Sequence, residues 1–286
     1  MLKQRVITAL ILLPLAFAAI FLLPLDGFAW ASALVLALGA WEWAPLAGFA
    51  SKFGRALASL AALALMALMQ LLIPVSQLWA DGLPASLYSL PVLLGGFWWV
   101  LAALLAYQYP EPVRFWQNHR SWRLIFGVLT LIPAWAGLQI LRSWHYDVAP
   151  LHGALAILYV LLLVWAADTG AYFVGRRFGK HKLAPRVSPG KTLEGALGGI
   201  GLALLVAAIA ISQAPAALSP SALVSASLFA VLASILGDLS ESMLKREAGI
   251  KDSGSILPGH GGILDRIDSI TAAVPVFVLV MLAMGV

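Results

Sequence analysis

Gly237-Asp238-Leu239-Ser240-Glu241-Ser242-Met243-Leu244-Lys245-Arg246 and, after a polar loop, Pro258-Gly259-His260-Gly261-Gly262-Ile263-Leu264-Asp265-Arg266-Ile267-Asp268 form a charged island in an oily chain. Charged residues make up 11% of the 286 residues, yet 238–268 holds six of the 13 acids and four of the 18 Lys and Arg. Long apolar runs flank the island on both sides. Charge beside hydrocarbon is costly, so ionisable groups there are candidates for a functional site.

At helical spacing Asp238, Glu241, Ser242 and Lys245 share one face, and Asp265 and Asp268, three apart, share another. Between them, 252–262 contains four Gly and one Pro, which breaks any helix. The pattern predicts two helix ends joined by a glycine-rich loop, each bringing carboxylates. Converging carboxylates suit Mg²⁺, a hard cation that takes few protein oxygens and leaves room for water and phosphate. The interspersed Lys and Arg suit phosphate.

The wider chain sets the context. It is 62% hydrophobic with a mean hydropathy of +0.93, outside the range of soluble globular domains. It has no Cys, so disulfides and thiolate metal sites are excluded. A net charge of +5 would suit nucleic acid, but the basic residues sit between apolar runs, as membrane topology requires, and no nucleic-acid partner is expected. The N-terminal run to Leu25 is too long for a signal-peptide core and reads as a retained first membrane helix.

Nine apolar spans are expected, over about 6–25, 28–50, 56–80, 87–108, 124–141, 153–175, 195–213, 221–244 and 267–286. The expected fold is all-α and polytopic, with a polar cavity facing the cytoplasm. Residues 1–150 would form an N-terminal membrane region of five spans and 151–286 a catalytic region of four, within one continuous domain or two. With the N-terminus in the cytoplasm, 17 of the 18 Lys and Arg fall in cytoplasmic segments, and only Arg142 faces the other way. That places the 176–194 and 245–264 loops on the same side. The first five spans are expected to carry little chemistry. Glu42, in Trp41-Glu42-Trp43, reads as a carboxylate turned to a polar cavity or interface, and Trp98, Trp99 and Trp116 as anchors or packing.

A second polar region runs Asp168-Thr169-Gly170-Ala171-Tyr172, Gly175-Arg176-Arg177-Phe178-Gly179-Lys180 and Ser188-Pro189-Gly190-Lys191-Thr192-Leu193-Glu194-Gly195. Asp168 has two readings, a structural ion-pair partner or a direct functional group. Gly190-Lys191-Thr192 looks like the end of a P-loop, but Pro185 stands where that motif needs Gly and no strand is expected, so a P-loop NTPase is rejected. Ser188, Lys191 and Thr192 instead open a helix whose free N–H groups suit phosphate, or simply cap it. His260, alone in a Gly-rich loop, reads as a phosphate contact or turn residue rather than a metal ligand.

From Ser242-x-Leu244-Lys245-Arg246 through Lys251-Asp252-x-Gly254 to Leu257-Pro258-x-His260-Gly261-Gly262-Ile263-x-Asp265-Arg266-Ile267-Asp268, 27 consecutive positions resemble the signature of the phosphatidate cytidylyltransferase family, also called CDP-diglyceride synthases. The two other polar stretches are similar to that family as well. The closer resemblance covers about 165–268. It implies transfer of CMP from CTP to phosphatidate with release of pyrophosphate, by a multi-helix homodimeric enzyme of the bacterial inner membrane that depends on Mg²⁺, with a second cation, monovalent or divalent, left open. Carried over, Asp238 and Asp265 would bind metal, and Asp268, Lys245, Arg246, Lys251, His260 and Arg266 would belong to the same catalytic pocket.

The chemistry of the residues agrees. A lipid phosphate is already an anion and needs no dedicated base. The difficulty is bringing two anions together, so cations must neutralise both and align the attack. Lys191, Lys245, Arg246, Lys251 and Arg266 are candidates for phosphate contacts, with backbone at Gly259, Gly261 and Gly262 approaching phosphate closely. A cation- or proton-coupled transporter is the rival reading, since it too holds intramembrane acids. It has no need of a basic Gly-rich loop. The Asp spacing of a CDP-alcohol phosphotransferase is not found.

Overall fold

The computed structural model describes residues 2–111, 114–117, 119–213 and 219–285. The side chains of Lys3, Arg5 and Arg114, which the topology count uses, lie outside the described ones. Helices dominate: α1 (Leu2–Leu22), α2 (Leu25–Leu46), α3 (Lys52–Leu72), α4 (Ser86–Gln108), the single turn α5 (Arg114–Gln117), α6 (Arg120–Ser143), α7 (His152–Phe178), α8 (Leu193–Gln213), α9 (Pro220–Glu247) and α10 (Leu264–Ala283). Seven of them, α3, α4 and α6 to α10, are long and apolar enough to cross a membrane. In the remaining long pair, the apolar stretch of α1 is the shorter Val6–Leu22, and α2 carries Asp26 and Glu42. An integral membrane protein follows.

The third helix ends at Leu72, not near 80 as hydropathy suggests. Pro74 lacks an N–H and disfavours helix at the residue before it. The chain then forms a small hairpin, β1 (Trp79–Ala80) and β2 (Leu83–Pro84), turning at Asp81 and Gly82, both with positive φ, as a tight two-residue hairpin turn demands. A second hairpin, β3 (Lys182–Ala184) with β4 (Ser188–Thr192), joins α7 to α8. This corrects the expectation of no strand there. A three-residue strand in a polar loop leaves no hydropathy period to read.

The helix α6 is the most buried of the spans and α3 the least. Around α6 pack α4, α10, α2 and α7, while α7–α8 and α9–α10 are the closest neighbours. Small residues bring α7 and α8 together: a Cβ on Gly170 would lie 2.5 Å from the Gly198 carbonyl oxygen, and one on Gly199 2.5 Å from that of Ala167. Trp98 and Trp116 pack rather than anchor, Trp98 stacking on Phe126 at 4.4 Å between ring centres.

One end of the bundle collects the polar loops. Thr8 Oγ1 donates to the Pro258 carbonyl (2.9 Å), Gln117 Nε2 to Glu247 Oε2 (3.5 Å) and Arg246 Nε to the Val187 carbonyl (3.4 Å). The 176–194 and 245–264 loops therefore share this end. Arg142 lies at the other end, fully buried, donating from Nη2 to the Leu23 carbonyl (3.0 Å) and from Nη1 to that of Pro150 (3.4 Å).

Candidate active site

The polar face of α9 forms as its spacing dictates. Ser242 Oγ donates to Asp238 Oδ1 at 3.3 Å, one turn back. Lys245 Nζ donates to Glu241 Oε2 at 2.7 Å and, across to α10, to Asp265 Oδ1 at 2.8 Å. Asp265 is held from a third direction as well. Its Oδ2 accepts the Gly262 N–H at 2.8 Å, and the Ser253 N–H reaches both oxygens at 3.2 Å. An acid in the first turn of a helix that reaches back to a free N–H stabilises the helix start. Gly261 sits beside it with φ +82°, a left-handed conformation that suits Gly, and a Cβ there would lie 2.8 Å from Asp265 Oδ2.

The β3–β4 hairpin is fixed by Glu194, whose carboxylate accepts the N–H of Lys180 (3.0 Å) and of His181 (3.2 Å) and pairs with His181 Nδ1 (2.6 Å). Thr192 is buried and caps α8, its Oγ1 accepting the Gly195 N–H at 3.1 Å. Ser188 opens β4, paired in register with Ala184. Lys191 projects from the hairpin to α9, where its Nζ lies 2.6 Å from Asp238 Oδ2.

Two cavities meet at this ion pair. One, of about 380 Å³, lies among α7, α8, α9 and the hairpin, with Tyr172, Arg176 and Lys191 in its wall. The other, of about 470 Å³, is lined by Lys245, Asp252, Asp265, Arg266 and Asp268. Asp168, Asp238 and Ser269 line both, so the two cavities adjoin. Asp238 and Asp265, from separate helices, thus face one polar space. Among the described residues Asp168 makes no salt bridge within 4 Å, though the Lys191 ammonium is near enough to attract it, and it lines both cavities.

Other residues singled out by sequence sit elsewhere. Arg246 pins the hairpin through the Val187 carbonyl and lines neither cavity. Lys251 is exposed on the loop and also lines neither. His260 makes a turn: its N–H donates to the Leu257 carbonyl (2.9 Å), and its own carbonyl accepts Arg266 Nε (3.1 Å). Gly262 is buried against carboxylates rather than open to a ligand.

Glu42, expected to turn to a polar cavity or interface, is instead enclosed by protein. This acid of α2 is fully buried beneath the glycine-rich loop, its Oε2 accepting the Leu264 N–H at 2.8 Å. Glu42 thereby ties the second span to the loop between α9 and α10. The signal was present, since an acid inside an apolar run is rare without a partner, but its partner is 222 residues away.

Among the described residues no three acidic or His side chains cluster as a ready-made cation cage. The donor set nevertheless fits Mg²⁺. Asp168, Asp238 and Asp268 line the second cavity, and Mg²⁺ is commonly held by one or two carboxylates together with substrate phosphates and water. Asp238 has one oxygen on a hydroxyl and one on an ammonium, both exchangeable. Both oxygens of Asp265 are already engaged by Lys245 and backbone N–H groups.

Comparison with known proteins adds a second line. Residues 3–284 match the model of the cytidylyltransferase family. The chain is 49% identical to the phosphatidate cytidylyltransferase of Pseudomonas aeruginosa over 294 aligned positions, covering 100% of this chain and 98% of that one. It is 44% identical to the phosphatidate cytidylyltransferase of Haemophilus influenzae, covering 97% of each. With that of Bacillus subtilis the identity is 43% over 162 positions, 55% of this chain and 58% of the other.

Proposed function

This chain belongs to the cytidylyltransferase family, and from that premise we propose that it transfers CMP from CTP to phosphatidate, giving CDP-diacylglycerol and pyrophosphate. The observation that carries the reading is the pair of adjoining cavities that share Asp238, with Lys191 in the wall of one and Lys245 and Asp265 in the wall of the other. The relatives are transferases, and the transporter alternative has no support among them.

A phosphatidate oxygen attacks the α-phosphorus of CTP, and the bond to the β-phosphate oxygen breaks. Both partners are anions, so the work of the protein is neutralisation and alignment. Arg176 and Lys191 in one cavity and Lys245 and Arg266 in the other provide cations on two sides of the join. Backbone and acids then hold those cations in place: Asp238 orients Lys191, and Glu241 with Asp265 orients Lys245. Asp238 and Asp265 would hold Mg²⁺, whose charge would offset that of the triphosphate and of the departing pyrophosphate. Arg246 and Glu194 act on the hairpin that carries Lys191 rather than on substrate.

The acyl chains stay in lipid while CTP arrives from water. We place the site at the cytoplasmic face of the bacterial inner membrane, with nine crossings and the N-terminus inside, a reading that the distribution of Lys and Arg supports. A homodimer is part of the same proposal.

The test is turnover by the purified protein on phosphatidate with CTP and Mg²⁺, following lipid product and pyrophosphate together. Equal rates with other nucleoside triphosphates, or none with CTP, would refute the assignment.

A further inference from the structure

The N-terminal helices are not only a membrane scaffold. Glu42 lies on α2, fully buried, against the loop that joins α9 to α10. Its Oε2 accepts the Leu264 N–H at 2.8 Å, at the first residue of α10, and the Ser253 hydroxyl at 3.5 Å. Each of those residues adjoins Asp265 or its ligand: Leu264 precedes Asp265, and the Ser253 N–H binds the Asp265 carboxylate. One carboxylate from α2 thus grips both strands of the loop that positions another.

The loop has no room for anything else. A Cβ on Gly254 would collide with Glu42 Oε1, and one on Gly262 with Glu42 Oε2 and Ser253 Oγ. Two glycines of the loop are therefore shaped around this side chain. Its backbone is anchored on both flanks. Arg55 lies over the Trp41 ring and donates to the Trp41 carbonyl (3.2 Å), and Trp43 Nε1 donates to the Arg123 carbonyl (2.8 Å). A buried carboxylate is costly unless its hydrogen bonds are made, and hydrophobic packing at this point of α2 would leave the Leu264 N–H unmet.

We propose that Glu42 is a positioning residue for the transfer reaction, holding the 252–264 loop so that Asp265 and Lys245 present to the shared cavity. The proposal rests on the cytidylyltransferase reading for its kinetic arm, but not for its structural arm.

The experiment compares the full-length wild-type protein with Glu42→Ala, Glu42→Gln and Gly254→Ala. Two readouts are taken: steady-state turnover of phosphatidate and CTP, and hydrogen exchange of the 252–264 amides. Glu42→Ala lowers kcat by about 10- to 100-fold, as misplacement of reacting groups by an ångström does, with smaller change in KM, and speeds amide exchange in the loop. Glu42→Gln keeps an acceptor for the Leu264 N–H and recovers most of both. Gly254→Ala, which retains Glu42 but drives a methyl into it, behaves like Glu42→Ala and serves if that variant does not fold. Wild-type turnover and exchange in Glu42→Ala or Gly254→Ala overturn the proposal, and so does an equal loss in Ala and Gln with loop exchange unchanged. A wild-type protein inactive on CTP would sink the reaction assignment alone, leaving the exchange comparison to decide the role of Glu42 in the loop.

Discussion

Lys191 Nζ lies 2.6 Å from Asp238 Oδ2, and this ion pair bridges the β3–β4 hairpin and α9 where the two cavities join. The two side chains are 28% and 33% exposed. A pair so open to solvent contributes little stability, on the order of 0–1 kcal/mol. On the proposed reaction, its value would lie in keeping an ammonium at the cavity, ready to leave Asp238 for a phosphate.

Lys191→Met should therefore leave thermal stability almost unchanged and raise KM for CTP. Losing one charge-assisted contact, worth roughly 1.5–3 kcal/mol, corresponds to about tenfold or more in affinity. Steady-state kinetics with varied CTP, together with a melting curve in detergent, separates the two effects. A large fall in melting temperature with unaltered KM would mean the pair is structural.

Asp238 and Asp265 should respond differently to the same change. The Asp265 and Lys245 side chains are only 7% and 13% exposed, and breaking a buried pair costs about 3–5 kcal/mol. Asp265→Asn should stay in the membrane, lose most turnover and melt at lower temperature. Asp238→Asn should lose turnover with little change in melting, and should need more Mg²⁺ to reach half its residual rate. Titration of Mg²⁺ against turnover in both variants, beside their melting curves, tests the distinction.

How much of this was legible in the sequence follows from the range of each signal. Asp238, Glu241, Ser242 and Lys245 were readable as one face because helical spacing is local. The shared end of the 176–194 and 245–264 loops was readable from charge, because loops between membrane helices carry their side in their Lys and Arg. The β3–β4 hairpin was not, since its stem is fixed by the Glu194 carboxylate gathering the N–H groups of Lys180 and His181 rather than by any apolar alternation. Gly261 and Gly262 suit phosphate approach from sequence alone, but their close neighbours are Asp265 and Glu42, and a glycine does not reveal what approaches it. Arg246 shares its Lys-Arg dipeptide with Lys245 but points from another face of the helix, toward Val187.

Arg142, the one basic residue at odds with the charge count, should prove a stability residue. It is buried at the far end of α6 and satisfies the Leu23 and Pro150 carbonyls, with its guanidinium 5.3 Å from the Tyr146 ring centre. Arg142→Met removes donors from two carbonyls, and hydrogen bonds to charged groups are worth about 1.5–3 kcal/mol each. The melting temperature should fall while kcat per folded molecule stays near wild type. Lys is a poor substitute, because a single ammonium lacks the planar fork that reaches two acceptors.

Removal of Mg²⁺ tests whether the cation belongs to the resting fold or to the substrate complex. Lys191 occupies Asp238 and Lys245 occupies Asp265 at 2.6 and 2.8 Å, and the described residues offer no three-acid cage. The acids are thus already neutralised by side-chain cations, and a chelator should leave the melting temperature unchanged while abolishing turnover. Mg²⁺ alone should stabilise little, for it must displace an ammonium from its carboxylate. CTP and Mg²⁺ together should stabilise by about 2.7 kcal/mol at a hundredfold excess over Kd, since the triphosphate supplies both the missing oxygens and an alternative partner for the lysines. Melting curves with Mg²⁺, with CTP in chelator and with both check this. A large shift with Mg²⁺ alone would place the ion in the empty enzyme and make the lysine–aspartate pairs secondary to it.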